Sequence, residues 1–264
     1  MKQGILLKMQ VELGEKVKYT LNLGPDSIAM NTLLGTSIAF NFRDTIHCIR
    51  CGRVTKKSFA QGYCYPCFTT APETSECILR PELCQAHEGV SRDMKWSEGH
   101  CLQDHIVYLA LSSGLKVGVT RSSQVPIRWI DQGAWKAIRL ARTPNRHLAG
   151  KIEVALKTHM SDRTNWRHML TNTLAEEIDL EEEKRKAVNL LQEELSQYLI
   201  PDNEVIEINY PVLQYPRKVK SLGFEKTKFI DGVLTGIKGQ YLIFEDGSVL
   251  NIRKHSGYLV AMEY

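Results

Sequence analysis

The sequence predicts an α+β protein in which β-rich ends flank a cysteine-rich region and a mixed central segment. Short β-rich runs separated by glycine-containing turns occupy both ends, and amphipathic helical patterns begin near residue 127. All seven cysteines fall between Cys48 and Cys101. We therefore divide the chain into an amino-terminal β segment (1–46), a cysteine-rich region (47–104), a β-β-α-β-α core (105–171), an amphipathic helix (172–200) and a small carboxy-terminal β module (201–264).

The amino-terminal segment is predicted to consist of strands. Residues 5–13 and 17–23 alternate between apolar and polar side chains, and residues 36–42 form a third β-rich run. A glycine-containing turn at 14–15 separates the first two runs.

Four cysteines in the next region have the spacing of a zinc site. Two residues separate Cys48 from Cys51 and Cys64 from Cys67, and twelve residues lie between the two pairs. Four thiolates complete one tetrahedral Zn²⁺ shell. The pattern predicts a zinc-ribbon-like region, with free or disulfide-bonded cysteines as the alternative.

A second and looser set of metal-ligand candidates follows. Our preferred set combines Cys77, Cys84 and Cys101 with His105, and His87 is the alternative fourth ligand. Three thiolates and one imidazole form a common closed zinc shell. Because a closed shell leaves no position for water, both zinc ions are predicted to be structural. Buried cysteines without a metal are the alternative at this second site.

The central segment is predicted to have the element order β-β-α-β-α. Strands at 105–111 and 115–120 form a hairpin, and a short helix follows at 127–133. Residues 137–141 return as a strand, and residues 146–159 have the apolar spacing of an amphipathic helix.

The last third of the chain is predicted to be one helix followed by strands. Residues 173–199 indicate a long or broken amphipathic helix that ends before Pro201. Short β runs separated by glycine turns then predict a small closed or rolled β module. Its predicted strands are 205–212, 228–237, 241–244, 249–252 and 257–262.

Basic charge is concentrated in the core. Residues 107–171 contain 11 basic and 3 acidic residues, whereas residues 172–207 contain 3 basic and 11 acidic residues. A basic segment that also contains Trp129, Trp135 and Trp166 is typical of a surface that binds the phosphates of DNA or RNA. The alternatives are a solvated basic face paired with the acidic stretch, or an acidic protein partner.

Composition excludes a disordered chain and a membrane protein. Hydrophobic residues make up 43% and charged residues 24% of the 264 residues. The longest apolar runs are the length of a strand, far below the ~20 residues of a membrane-spanning helix. The amino terminus has only a brief apolar stretch and no small-residue cleavage site. We therefore expect a cytoplasmic protein with no membrane partner.

Residues of the central segment resemble a known nuclease domain. Tyr108 lies on the first predicted strand, a triplet beginning with Lys116 on the second, Arg128 on the first helix and Glu153 on the second helix. This order is similar to that of the GIY-YIG nuclease domain over about residues 105–170. The resemblance implies an active site formed by Tyr108, Lys116, Arg128 and Glu153, with Glu153 binding Mg²⁺ or Mn²⁺.

Two positions depart from the family pattern. Lys116 stands where the family usually has its second tyrosine, and Gln132 stands where several members have a histidine or another residue that transfers protons. Glutamine does not titrate, so these positions favour a non-catalytic, zinc-stabilised module that binds nucleic acid or protein. Glu153 also has an ordinary interpretation, because it can pair with Lys157 one helical turn later.

The chemistry implied by the resemblance is hydrolysis of a phosphodiester bond. A single carboxylate, that of Glu153, suits Mg²⁺, because this ion keeps most of its water ligands. Arg128 is expected to hold the phosphate through two hydrogen bonds. Lys116, across the hairpin, is expected to lower the pKa of Tyr108, so that Tyr108 helps to deprotonate the attacking water.

The whole chain also resembles a bacterial, zinc-containing family designated domain of unknown function 2797. The similarity implies no biochemical role, but it implies that the cysteine-rich region and the carboxy-terminal β module are parts of one protein. It lies in the cysteine block and in residues 81–84, 116–120, 128–134, 162–166 and 236–242.

Overall fold

The computed structural model describes residues 1–160, 164–173 and 178–264. These residues form several β-sheets and few helices, so the α+β class is confirmed. The chain divides into two compact units. The first contains Met1–Thr69, Leu170–Asn172 and Asn209–Tyr264, and the second contains Thr70–Met169 and Thr173–Ile208.

Fifteen strands and seven α-helices occur within the described ranges. The strands are β1 (Lys2–Ile5), β2 (Gln10–Glu12), β3 (Lys18–Leu23), β4 (Asp26–Ala29), β5 (Ser37–His47), β6 (Val54–Thr55), β7 (His105–Leu111), β8 (Leu115–Arg121), β9 (Lys136–Thr143), β10 (Val205–Glu207), β11 (Lys220–Leu222), β12 (Phe229–Lys238), β13 (Tyr241–Phe244), β14 (Ser248–Asn251) and β15 (Tyr258–Glu263). The helices are α1 (Tyr65–Thr70), α2 (Met94–Glu98), α3 (Ile127–Asp131), α4 (Arg146–Leu156), α5 (Trp166–Leu170), α6 (Leu180–Leu190) and α7 (Glu193–Ser196).

The first unit is built around an eight-stranded sheet with the order β1-β15-β5-β12-β13-β14-β11, in which β6 also pairs with β5. The long strand β5 pairs with β15 on one side and with β12 on the other. Phe40 of β5 lies opposite Met262 and Ile230, and all three side chains are buried. Each buried side chain of this size contributes about 1.5–3 kcal/mol to stability. Strands from the two ends of the chain therefore share one sheet, whereas the sequence alone treats them as separate segments.

A three-stranded sheet, β2-β3-β4, completes the first unit. The predicted strand at 5–13 is divided in the structure, because β1 ends at Ile5 and β2 begins at Gln10. In the interval, the backbone N–H of Met9 donates to Oε1 of Gln240 at 2.8 Å, and Nε2 of Gln240 donates to the Met9 carbonyl at 3.1 Å. The buried side-chain amide of Gln240 thus forms the two hydrogen bonds that a neighbouring strand would otherwise form with the Met9 backbone.

The second unit contains a four-stranded antiparallel sheet with the order β10-β9-β7-β8. Its elements β7, β8, α3, β9 and α4 confirm the predicted β-β-α-β-α order. All seven residues of β7 are buried, because β7 lies between β8 and β9. The amphipathic helix α4 packs on this sheet through Ile152 and Leu156. Its first turn is capped by Asn145, whose Oδ1 accepts from the Leu148 N–H at 3.0 Å.

The predicted helix at 173–199 is broken. Helix α6 ends at Leu190, residues Leu191 and Gln192 are extended, and α7 begins at Glu193. The predicted apolar position Leu174 lies outside the described residues, as do the first two residues of the 162–166 motif. The predicted strand at 205–212 is shorter, because β10 ends at Glu207. No helix in the described ranges combines the length and the apolar character needed to cross a bilayer.

Candidate functional sites

The first cysteine cluster gathers the four residues that the spacing predicts. The sulfur atoms of Cys48, Cys51, Cys64 and Cys67 all lie within 4.8 Å of one another. Cys48 directly follows β5, and its N–H donates to the Arg53 carbonyl at 2.8 Å, which closes the first loop. Cys64 precedes α1 and Cys67 lies within it.

The geometry of this cluster fits a tetrahedral zinc ion. The sulfur atoms of Cys51 and Cys64 are 3.8 Å apart. Two thiolates bound to one Zn²⁺ at about 2.3 Å also lie about 3.8 Å apart in a tetrahedral shell. All seven cysteines lie in the described part of the chain and have free thiols. These residues could therefore hold zinc, and the disulfide alternative is not found.

The pKa shifts of two thiols in the cluster also favour a bound cation. Burial raises the pKa of the Cys48 thiol, but hydrogen bonds from backbone amides, including that of Cys51, outweigh burial and lower it to about 6. Burial and hydrogen bonds with the other thiols raise the pKa of Cys67 to about 12. A cation close to the Cys67 sulfur would offset this effect and favour the Cys67 thiolate.

The second cysteine cluster contains three of its four predicted ligands. The sulfur atoms of Cys77, Cys84 and Cys101 lie within 4.8 Å of one another, and neither His87 nor His105 joins that group. His87 is exposed and stacks on another histidine ring. His105 is buried, and burial lowers its pKa to about 4, which leaves the imidazole neutral.

His105 has a feature that suits a metal ligand. Its Nδ1 donates to the Gln103 carbonyl at 2.7 Å, while its buried Nε2 has no hydrogen-bond partner among the described residues. A backbone carbonyl that accepts from one ring nitrogen is the usual support for a histidine that binds metal through the other. His105 as the fourth ligand stays a prediction.

A cavity of about 390 Å³ adjoins the second cluster. All three cysteines contribute to its wall, together with Arg92 and Trp96. The cavity provides a path by which a metal ion could reach the sulfur atoms.

The second cluster is joined to the start of α4 by several hydrogen bonds. The Arg146 N–H donates to the Cys101 carbonyl at 2.8 Å, and Nη1 of Arg146 donates to the Cys77 carbonyl at 3.2 Å. Nδ1 of His147 donates to the Glu82 carbonyl at 2.8 Å. Gly150 permits this close approach, because a Cβ there would lie 2.1 Å from the Glu82 nitrogen. The cysteine cluster therefore fixes the position of the helix that carries Glu153.

A third cluster lies on the β7–β8 hairpin. The Tyr108 hydroxyl donates to Oε1 of Gln132 at 3.0 Å, and the Lys116 amine donates to the same oxygen. Lys116 also donates to Oγ1 of Thr164 at 2.9 Å. Tyr108 lies opposite Gly118 in the hairpin, where a Cβ would be 2.7 Å from the Tyr108 hydroxyl oxygen. The glycine of the triplet therefore makes room for the tyrosine ring.

Arg128 of α3 and Glu153 of α4 act electrostatically on the same two groups. Burial raises the pKa of Tyr108 to about 12, and the Arg128 guanidinium partly opposes this shift. Burial lowers the pKa of Lys116 to about 7, with a further lowering by Arg128 and an opposing effect of Glu153. The structure thus brings all four predicted residues into one electrostatic cluster.

The expectation that Lys116 lowers the pKa of Tyr108 is wrong. The Tyr108 side chain is only 1% exposed, so its phenolate would lose the hydration that stabilises the charge. Tyr108 therefore stays protonated near neutral pH. Burial lowers the pKa of Lys116, in contrast, to about 7, which brings its neutral form into the range of neutral pH.

Sequence reasoning missed Thr164 and the role of Gln132. Thr164 lies 48 residues from Lys116 in the chain, and no pattern in the sequence indicates their contact. In the sequence Gln132 is only a departure from the family pattern, whereas in the structure its carbonyl oxygen accepts from both Tyr108 and Lys116. The i, i+4 spacing of Arg128 and Gln132 is the signal in the sequence that both lie on one side of the predicted helix at 127–133.

Part of the basic charge is neutralised by the acidic stretch. Arg139 pairs with Asp202 and with Glu204, and Lys136 pairs with Glu207 at 2.8 Å. The alternative of a basic face paired with the acidic segment therefore holds for these two cations.

A sequence model described as Protein of unknown function (DUF2797) matches residues 35–260. The chain belongs to this family. The DUF2797 region includes both cysteine clusters and the Tyr108–Lys116 cluster. No curated protein and no solved structure matches the chain. The family description assigns no activity, so the chemistry of this DUF2797 protein has to be inferred from its own side chains.

Proposed function

We propose that this protein binds DNA or RNA and hydrolyses a phosphodiester bond with Mg²⁺ or Mn²⁺ at a GIY-YIG-like site. The observation that supports this most is the meeting of the Tyr108 hydroxyl and the Lys116 amine at Gln132. The charges of Arg128 and Glu153 act on both groups. Perturbed pKa values that share one cluster are typical of catalytic sites.

The arrangement of elements gives independent support. Strand β7 lies between β8 and β9, and the order β7-β8-α3-β9-α4 is the order that the GIY-YIG resemblance implies. The tyrosine and the triplet glycine face each other in the hairpin, as Tyr108 and Gly118. A GIY-YIG-like core at 105–171 is accordingly part of the proposal, as is a cytoplasmic location.

Each side chain has a defined task in the proposed reaction. Glu153 would hold a divalent cation, and such a cation would supply stabilisation of the negative charge on the phosphate oxygens. Arg128 donates hydrogen bonds to the phosphate. The neutral amine of Lys116 would take a proton from the water that attacks phosphorus, while the protonated Tyr108 would donate a hydrogen bond and not act as the base. The bond from phosphorus to the departing sugar oxygen would break, and that oxygen would take a proton from solvent.

The zinc ions have a structural role in this proposal. The first cluster would hold one Zn²⁺ through four thiolates, and the second would hold another through Cys77, Cys84 and Cys101. The imidazole of His105, whose Nε2 has no hydrogen-bond partner among the described residues, would supply the fourth ligand. Closed shells of this kind stabilise small regions that have little apolar core of their own. Neither zinc takes part in the reaction.

The deciding experiment is a cleavage assay with branched, single-stranded and duplex DNA and RNA in Mg²⁺ or Mn²⁺. Glu153→Gln keeps the size of the side chain but removes its charge, so cleavage should fall by at least about 100-fold. Glu193→Gln, an exposed position on α7, is the matched control and should cut normally. Zinc content and circular dichroism establish that both variants are folded. Equal cleavage by Glu153→Gln and the parent would rule out this site.

A second candidate is a non-catalytic, zinc-stabilised module that binds nucleic acid or protein. It is favoured by Gln132, which cannot titrate and whose carbonyl oxygen already accepts from Tyr108 and Lys116. Binding of nucleic acid that weakens steeply with salt, with no cleavage by the parent protein, would select this candidate.

A further inference from the structure

The loop that carries the first cysteine cluster exposes aromatic rings. We call residues 47–70 the zinc knuckle. Its Tyr65 is 60% exposed and Phe68 is 37% exposed. Both rings contact Phe59, with ring centroids 5.4 Å from Tyr65 and 5.7 Å from Phe68. The three rings form a continuous aromatic patch instead of entering the core.

The same knuckle contains exposed cationic side chains and no carboxylate side chain. No Asp or Glu occurs from residue 45 to residue 72. Four cations of this stretch are exposed, and the amine of Lys57 lies 5.3 Å from the centre of the Phe59 ring. These cations are Arg50, Arg53, Lys56 and Lys57.

The cysteine cluster determines where the aromatic rings lie. Tyr65 stands between Cys64 and Cys67, and Phe68 directly follows Cys67. The Phe68 N–H also donates to the Cys64 carbonyl at 2.8 Å. A metal ion bound by the four thiolates would therefore hold both rings in fixed positions, which reduces the entropy lost on binding a partner.

We infer that the zinc knuckle binds single-stranded nucleic acid, with bases stacked on Tyr65 and Phe68 and phosphates near Arg53, Lys56 and Lys57. This inference rests on the proposed function and names its substrate class, since stacking requires bases that are not already stacked in a duplex. Exposed rings among cations are the usual composition of a single-strand surface. An acidic protein partner would explain the charge but gives no reason for two exposed aromatic rings on one loop.

The first test measures the affinity of the full-length, zinc-loaded protein for a labelled 20-nucleotide oligothymidylate, an oligouridylate and a 20-base-pair duplex by fluorescence anisotropy. The parent should bind a single strand more tightly than the duplex. Tyr65→Ser and Phe68→Ser should each weaken single-strand binding about 10-fold, because each removes one stacked base. Tyr264→Ser removes a ring of similar exposure, 55%, and should bind as the parent does.

The second test separates charge from stacking. The double variant Lys56→Ala with Lys57→Ala should reduce the slope of log affinity against log salt by about 1.4, or 0.7 for each lost phosphate contact. The control with Lys218→Ala and Lys226→Ala removes the same charge at two exposed positions elsewhere and should leave that slope unchanged. Zinc content shows that every variant retains its metal.

The outcomes distinguish this inference from the proposed function. If the parent binds single strands and the knuckle variants bind equally well, the inference is overturned and the nuclease proposal stands. If the knuckle variants lose affinity while Glu153→Gln cuts like the parent, the inference stands and the catalytic assignment fails. Knuckle-dependent binding of polyglutamate without binding of single strands would assign the surface to an acidic protein and overturn the inference.

Discussion

At the scale of single residues, Tyr108 can occupy its position because Gly118, which lies opposite it, has no side chain. A Cβ on residue 118 would lie 2.7 Å from the Tyr108 hydroxyl oxygen, and that hydroxyl donates to Gln132. Burial of that hydroxyl keeps it protonated, which assigns proton transfer to Lys116 instead.

Gly118→Ala should therefore displace Tyr108. The added Cβ would lie 2.7 Å from the tyrosine hydroxyl oxygen, so the ring must move within a packed sheet. We expect a loss of about 1–3 kcal/mol in the free energy of unfolding, measured by urea denaturation. Gly114→Ala is the matched control in the same hairpin, because its Cβ would meet nothing within 4 Å. Equal stability of the two variants would contradict this role of Gly118.

The pH dependence of cleavage should follow the Lys116 amine. Its pKa is lowered from the usual value to about 7, and only the neutral form, which predominates above that pKa, accepts a proton. The rate should rise as the pH increases through about 7 and then level off. Lys116→Arg stays charged, so the rate should fall by about 10²–10⁴-fold and lose this rise. The exposed control Lys151→Arg should keep the parent profile, and an unchanged profile in Lys116→Arg would exclude Lys116 as the base.

At the scale of elements, helix α4 links the second cysteine cluster to the proposed active site. Its first turn is hydrogen-bonded to the backbone around Cys77 and Cys101, and Gly150 contacts the turn that contains Glu82. Glu153 lies on the next turn of this helix. A metal ion in the cluster would therefore position a carboxylate that it does not bind.

Cys84→Ser should remove the second zinc and reduce cleavage without altering any residue of the Tyr108–Lys116 cluster. We expect one zinc ion fewer per chain and faster amide hydrogen exchange in residues 146–156, because α4 loses its fixed start. Elemental analysis and exchange mass spectrometry measure these two effects. Cys48→Ser, which affects the first cluster, should leave exchange in α4 unchanged. Normal exchange of α4 in zinc-depleted Cys84→Ser would show that the cluster does not position the helix.

At the scale of the whole molecule, the first unit depends on both ends of the chain. Strand β15 pairs with β1 and with β5, and Cys48 directly follows β5. The His47 N–H donates to the Gly257 carbonyl at 2.7 Å, just before β15 begins. The carboxy-terminal strand therefore supports the start of the zinc knuckle.

A chain that ends at Ser256 should lose the zinc of the first cluster. Removal of β15 leaves β1 and β5 without a shared partner, and it deletes Met262, whose buried side chain lies opposite the buried Phe40 in the intact sheet. Zinc titration should report one ion fewer per chain, and the unfolding transition of the first unit should be lost. A chain that lacks only Tyr264 should behave like the parent. Retention of both zinc ions in the shorter chain would contradict this dependence.

The sequence by itself determined the features that depend on nearby residues. The spacing of the first four cysteines predicts the first cluster. Two residues separate the cysteines within each pair, and twelve residues connect the pairs. The β-β-α-β-α order follows from periodicity within each element. Membership of the DUF2797 family was likewise indicated by short local motifs.

Only the tertiary structure decided which distant residues meet. The pairing of β5 with β12 and β15, and the contact of Lys116 with Thr164, join positions that no local pattern relates. For the same reason, the sequence analysis expects a lowered pKa for Tyr108, whereas burial raises it. A pKa in a protein depends on how much water the surrounding chain removes, and that quantity exists only once the sheet and its helices have packed around the side chain.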